Sequence, residues 1–553
     1  MSSCVDFLKQ YAFSVVIEHP DLGEIGRAEL KFGNGSWAHV AFESFTSIAR
    51  LGDQSSHRKL IATTPVGENF TLFDCKCTGF SVFATFVLTG KTEDLFKKIT
   101  IKYHELPEWF FQNQHLSGDP GRAIEWKNTP EHIDAFVKTS KEHLRITSAS
   151  AFKSKTSGPS ITITESVLLT IETLGDDFSL DDLREKPIEL SSLLSILIGQ
   201  PFSISSMSVI DSKDSHAFTY FPSFKIQDAE EQEQVSWTRG LLWKATLDGK
   251  WQTVIENYYK SAHRKVTWRR LAGMQRYEGF WEYKIFGFVS ILDYYVSQVS
   301  EKCKVPKTAT SKLCQKEIDR VVSALSSITS EDQRKKIADE LKKLEMKALS
   351  FAAKFNHAIS ATDQDVVKII AISDDDFTLI KETRNKIAHG DELPLKEGDF
   401  QRIHTLINKI ALLLTHWAFM DFGLSKDDFV NALRMTHNPM RLSAQLNSMH
   451  LARVTGTAKF FTISKREFRK ISTLKGIGSG ACFNELKNGN FKFSETRTKL
   501  YKDWMKDVSR STGVFTHEDI FHVEKGNVSY AGEAYALCGS DSLQLHSAFF
   551  FTK

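Results

Sequence analysis

The hydrophobic period of this chain changes once, near residue 250. Between Phe13 and Trp109, apolar residues alternate with polar ones in short runs, "FSVVIEH", "NFTLFDCKC", "SVFATFVLTG" and "KKITIKY", broken by turn signals such as "HPDLGE" and "FGNGS". Alternation places side chains on opposite faces of a strand, whereas spacing of three and four stacks them on one face of a helix. The first half therefore has to form sheet and the middle has to form helices. A further strand pair is read at "SITITESVLLTIET" (160–173), and "LSSLLSILIGQPFSISSMSVI" reads as a short helix followed by a strand. At 553 residues the chain is too long for one core. The expected fold class is α+β multidomain: a β-rich N-terminal domain (1–245) with up to two subdomains, a central all-α helical bundle (246–425), and a small C-terminal α+β domain (426–553).

Four helices are expected in the bundle. The first carries Trp281, Ile285, Phe288, Leu292, Tyr295 and Val299 on one face. The second opens at Ser330 in the capping box "SEDQ", with Gln333 reaching back, and buries Ile337, Leu341, Leu344, Ala348, Phe351 and Phe355. The third opens at Ser373 with three aspartates suited to the positive end of the helix dipole, and stops at Gly390 ahead of Pro394. The fourth carries Phe400, Ile403, Ile407, Ile410, Leu414 and Trp417 and ends at Gly423.

A net charge of +3 means that any affinity for nucleic acid must come from local clusters of Lys and Arg. Seven scattered cysteines form neither a C-x-x-C pair nor a disulfide framework. The N-terminus, "MSSCVDFLKQYAF", lacks a secretory pattern, and no run approaches the ~20 apolar residues of a membrane helix. A cytoplasmic protein without membrane partners is expected.

One stretch of the third helix breaks the pattern. In "TRNKIAHG" (383–390), a stripe of Phe377, Ile380 and Ile387 is interrupted at one turn by the always-charged Arg384. On an ideal helix, Arg384 and His389 lie about 140° apart and about 7.5 Å apart along the axis. Asn385 and His389 share a face with Glu382. Fraying next to Gly390, or a second copy of the helix in a dimer, would bring the complementary groups together. These residue types suit RNA cleavage by the 2′-hydroxyl. Histidine titrates near neutrality and can move protons, for a gain on the order of 10²- to 10⁴-fold. The arginine fork can hold two oxygens of a phosphorane, and Asn385 would orient the imidazole or bond the phosphate. The structural alternative has Arg384 reaching from the bundle to an acidic neighbour and His389 favoured only by the helix dipole. With 18 histidines, chance supplies about two such spacings. The second, Arg510 to His517, spans "STGVFT" and is set aside as non-helical.

The segment "ETRNKIAHGDELP", on the third helix of a four-helix bundle with the acidic "ILDYY" on the first, resembles the HEPN superfamily. The superfamily pattern of Arg, a polar residue and a following His falls on Arg384, Asn385 and His389, and Asp293 falls where many of these domains carry an acid. The N-terminal half resembles ApeA-type proteins, a bacterial anti-phage group, in "HRKLIATTPVGENFTLFDC", "ATFVLTGKTED", "LPEWF" and "LSSLLSILIGQPFSI". Together the likeness covers roughly residues 8–423. It implies a HEPN-like bundle, endoribonuclease activity requiring no metal or cofactor, and a site shared across a homodimer or higher homo-oligomer. RNA, with tRNA among the candidates, would be the substrate in abortive infection. A phage-derived trigger would release a resting state that holds the half-sites apart or covered. The rival reading is a non-catalytic sensor or scaffold that binds nucleic acid or a protein. Glu382 is a further candidate supporting acid beside Asp293.

Three weaker signals remain. The run "YYKSAHRKVTWRRLAGMQRY" (258–277) holds Lys260, Arg264, Lys265, Arg269 and Arg270 with Tyr259 and Trp268, a composition able to neutralise phosphates and stack bases, or simply a solvated face. "TLKGIGSGACFNEL" (473–486) resembles a phosphate-holding glycine hairpin but reads better as a plain turn. Cys75 and Cys77 face one side of a strand, where packing is favoured over a metal site.

Overall fold

A computed structural model describes residues 5–51, 56–79, 81–112, 116–117, 125–126, 130–158, 160–223, 237–302, 315–325, 330–344, 349–391, 398–473, 479–506 and 516–552. The chain forms two compact units, Met1–Thr362 with Ile372–Ala444, and Asp363–Ala371 with Gln445–Lys553. The architecture is the expected α+β one: a β-rich N-terminal domain, a helical centre and a small C-terminal sheet domain. By packing, the helices of 426–444 group with the first unit. The borders 245/246 and 425/426 are kept as a proposal for the functional segments.

The alternating runs become β1 (Gln10–His19), β2 (Gly23–Gly33), β3 (Ser36–Phe42), β4 (Ser56–Thr63), β5 (Asn69–Thr78), β6 (Ser81–Thr89) and β7 (Phe96–Tyr103). They are followed by β8 (Asp134–Lys138), β9 (His143–Ser157), β10 (Ser160–Thr173), β11 (Ile204–Asp211) and β12 (His216–Tyr220). All belong to one twelve-stranded sheet, in the order β8-β9-β10-β7-β11-β12-β6-β3-β2-β1-β4-β5. Because β5 also pairs with β6, the last six strands close into a barrel. Every second residue points inward: Val15 and Ile17, Ala28 and Leu30, Ala38 and Val40, Leu60 and Ala62, Phe70 and Leu72, and Val82 and Ala84 are all buried. Closure gives every strand of this half of the sheet a partner on both edges over at least part of its length.

Helix α1 (Leu180–Ile198) begins in a Ser179/Asp182 capping box and covers the open part of the sheet with Leu190, Leu193, Leu194 and Leu197. The Tyr103 hydroxyl of β7 donates to the carbonyl of Pro187, 2.6 Å away. Helix α2 (Trp251–Lys260), a π-helical turn at Arg264–Trp268 and α3 (Arg269–Arg276) then lead into the bundle.

The bundle is built on α4 (Trp281–Lys302), which packs against α5 (Phe351–Ala361), α6 (Asp374–His389) and α7 (Asp399–Asp421). Ile285, Phe288 and Leu292 of α4 are buried with Ile403, Ile407, Ile410, Leu414 and Trp417 of α7. Phe355 stacks on Phe377 at 4.3 Å, and Tyr295 stacks on Trp417 at 4.8 Å.

Two expectations are corrected. The single helix expected from Ser330 to Phe355 is two, Glu331–Leu344 and α5, because Ser350 adopts an extended conformation and caps α5 through the Ala353 N–H. Leu341, Leu344 and Ala348 carry no described side chain. Phe400, expected in the buried stripe, is exposed in the first turn of α7.

The second unit has a three-stranded sheet (Lys459–Thr462, Ala534–Cys538, Asp541–Leu545) and a four-stranded one (Phe491–Phe493, Ala481–Glu485, Ala548–Phe551, Val528–Ala531). Phe461 packs edge-on against Phe483 and Phe550, which stack on each other, in its core.

Candidate functional site

Helix α6 is fixed at both ends. Ser373 and Asp376 cap each other's backbone N–H groups. Asp376 also takes two hydrogen bonds from Arg402 of α7, at 2.7 and 2.9 Å. Burial raises the Asp376 pKa, but these bonds outweigh it and hold the carboxyl below its usual value. At the other end Gly390, at φ 72°, donates to Ile387, and the Asp391 N–H donates to the Lys386 carbonyl at 2.9 Å. This left-handed cap closes the helix and leaves His389 as its last helical residue.

The buried stripe of α6 runs through Phe377, Ile380 and Thr383, the last only 1% exposed. Arg384 therefore lies beside the stripe and does not interrupt it, with a side chain 36% exposed. Its Nη2 donates to Oδ2 of Asp293 on α4, 3.3 Å away and 28% exposed. Its Nη1 donates to Asn385 Oδ1 at 3.1 Å, and its Nε is shielded from solvent with no acceptor among the described residues. The structure thus brings Arg384, Asn385 and Asp293 together. Glu382, Asn385 and His389 are exposed. Among the described residues no hydrogen bond or ion pair joins His389 to Arg384, as expected for positions five apart on a closed helix. The arrangement offers a half-neutralised guanidinium beside an amide, with an imidazole displaced around the same helix.

The basic run divides sharply. Arg264 is buried, bonded to Glu142 at 2.9 Å, paired with Glu189 at 3.5 Å and stacked over the Tyr259 ring at 4.7 Å. Tyr259 and Trp268 are themselves core residues, the indole N–H of Trp268 donating to Asp421 at 2.6 Å, so neither ring is free to stack a base. The exposed cations are Lys260, paired with Glu256; Arg269, bonded to Glu185 at 2.5 Å; Arg270, above Tyr294; and Lys265. RNA contact by this run therefore rests on these four. Residues 474–478 of the glycine stretch and Arg510 lie outside the described residues. Cys75 is buried and Cys77 half-buried, and burial raises both thiol pKa values. The Asp376–Arg402 anchor has no sequence signal, because its partners are 26 residues apart.

Residues 22–258 match the family described as ApeA N-terminal domain 1, and residues 286–428 match the one described as Apea-like HEPN. The second match contains α6 and the partner acid on α4. No curated protein and no solved structure gives a match. No described helix is long and apolar enough to cross a membrane.

Proposed function

In a chain that belongs to the ApeA-type HEPN proteins, we propose endoribonuclease activity, independent of metal, in anti-phage abortive infection. The observation that carries the reading is the Arg384–Asp293 pair, partly open to solvent beside exposed Asn385 and His389 on the same helix. Arg384 binds the scissile phosphate and stabilises the charge that develops on it. His389 moves the proton of the 2′-hydroxyl or of the leaving oxygen, and Asn385 orients the phosphate or the imidazole. Asp293 holds the guanidinium in place until substrate takes it. The substrate is RNA, tRNA among the candidates, in the cytoplasm. Since Arg384 and His389 do not meet within one chain, the working site takes one group from each of two copies in a homodimer or larger assembly. A phage-derived signal sensed by the N-terminal domain then controls how the copies meet.

The test incubates the full chain with total RNA in excess EDTA, with and without extract from phage-infected cells. The expected result is cleavage that persists in the chelator and disappears in both Arg384→Ala and His389→Ala. Mixing the two inactive variants restores cleavage at a fraction of sites, as a shared site requires. RNA left intact under every condition favours the second reading, a non-catalytic HEPN sensor or scaffold, which is motivated by the separation of His389 from Arg384.

A further inference from the structure

The barrel wall is not sealed along its whole length. β1 pairs with β4 only at Val16, Ile17 and Glu18, opposite Thr63, Ala62 and Ile61. The register of β1 against β2 shifts between Ile17 and Glu18. Beyond that irregularity β1 turns away through Pro20–Leu22, so the edge of β4 from Ser56 to Leu60 has no ladder partner on this side among the described residues, while its other edge stays paired with β5. A pocket of about 600 Å³ opens in the seam, floored by Leu51. Its volume falls in the range of small-molecule sites.

Basic groups dominate the described lining: His19, Arg50, His57, Arg58 and Lys59, against Asp21, with Asp94 paired to Arg58 and Glu93 within electrostatic reach of Lys59. His19 Nδ1 accepts the N–H groups of Asp21 and Leu22 at 3.1 and 3.3 Å, so its ring proton sits on Nε2 and can be donated elsewhere. The His57 ring lies edge-on to it at 5.1 Å. His57 is 6% exposed, and its Nε2 has no partner among the described residues. Lys59 gives one bond to the Thr92 carbonyl at 2.7 Å, and Arg50 gives one long bond to the Ile25 carbonyl at 3.4 Å; both keep further N–H groups for other acceptors. Arg58 is paired with Asp94 and mostly solvated. Buried polar nitrogens in native proteins generally have partners, and Arg50 and Lys59 each keep N–H groups to donate, so an anion seated here would accept from both beside the unpartnered His57 nitrogen.

We propose that this seam is a binding site for a small phosphorylated anion of up to nucleotide size, held by His19 Nε2–H, Arg50 and Lys59 with His57 behind them. It sits in the N-terminal domain, and the proposal stands whether or not the helical bundle cuts RNA. The test is calorimetric titration of the full chain with inorganic pyrophosphate and, separately, with ATP. Saturable binding of one molecule per chain is expected for at least one probe. His19→Ala and Arg50→Gln, both on the rim, should each weaken it about tenfold or more while leaving the melting temperature of the free protein unchanged. Equal affinity for the two probes identifies a site for the phosphate group alone; tighter ATP binding shows that the nucleoside contributes. In a parallel arm, ¹H–¹³C spectra should show the His57 ring resonances shifting on saturation. Absence of saturable binding to both probes overturns the proposal. So does binding that survives the His19→Ala/Arg50→Gln double substitution, or loss in that variant of binding to a short RNA when neither small anion binds.

Discussion

Glu142→Gln is the substitution whose cost is best defined by the structure. Glu142, from the turn between β8 and β9, meets Lys186 and Glu189 of α1 and Arg264 of the π-helical turn in one cluster of two cations and two carboxylates. The side chains are 13%, 9%, 8% and 6% exposed in that order. Removing the Glu142 charge leaves both cations on Glu189 alone, in a site with little water to replace it. Breaking a buried pair by removing one partner costs about 3–5 kcal/mol, and glutamine keeps the shape and one acceptor, so about 3 kcal/mol is expected. In a unit of this size this corresponds to a melting shift of roughly 3 °C. Burial pushes the Glu142 pKa up, but bonds from Arg264 and Lys186 and their charges more than offset it, so the folded value lies below the ordinary 4.5. A carboxyl with a depressed folded pKa stabilises fully above its unfolded pKa and loses that contribution as pH falls through the folded one. The difference between wild type and Glu142→Gln should therefore be full at pH 7 and shrink below about pH 4.5. The assay is urea denaturation across that range, with Arg264→Met and the double variant completing a cycle. The double variant should cost at least about 1 kcal/mol less than the sum of the singles. A cost under about 0.5 kcal/mol for Glu142→Gln, or one independent of pH, or additive singles, would refute the account.

Arg384→Lys keeps the charge of the proposed site but offers one ammonium where the fork now meets Asp293 and Asn385, so cleavage should fall about 10²-fold with melting unchanged. A rate within threefold of wild type would show that only charge matters. Ser373→Ala removes the capping oxygen of α6 and should cost about 1 kcal/mol, visible as faster hydrogen exchange in the first turn of that helix. Trp268→Phe withdraws the N–H that Asp421 accepts in a buried setting and should lower stability by about 1–3 kcal/mol, measured by thermal melting.

Much of the fold was legible because it depends on local period. The runs around Val15, Leu72 and Ile99 became strands with those residues inside, and Ile285, Ile380 and Ile407 lie on the buried faces of their helices. What could not be read depends on partners distant in sequence. Arg264 looked like a surface cation because its carboxylate lies 122 residues away, and barrel closure by β5 against β6 carries no signature beyond an ordinary hairpin. The break before α5 was hidden by an apolar spacing that continues across it; Ser350, the capping residue, was the available signal. For the site, spacing indicated Arg384, Asn385 and His389, while the Asp293 partner, 91 residues away, came only from the family likeness. The placement of Thr383 in the stripe was within reach, since steps of three and four from Ile380 and to Ile387 pass through it.

β6 has consequences for how this protein can be divided. Along one edge its first half bonds to β3 and its end, at Val87 and Leu88, bonds to β12, while the whole of its other edge is taken by β5. It is a wall stave of the barrel and an inner strand of the open sheet at once. A truncation ending after β7 would strip Tyr220 and Thr219 from it and expose bare backbone, and one starting after β6 would unroll the barrel. Any fragment meant to isolate the N-terminal domain has to run from the first strand through Tyr220 in one piece.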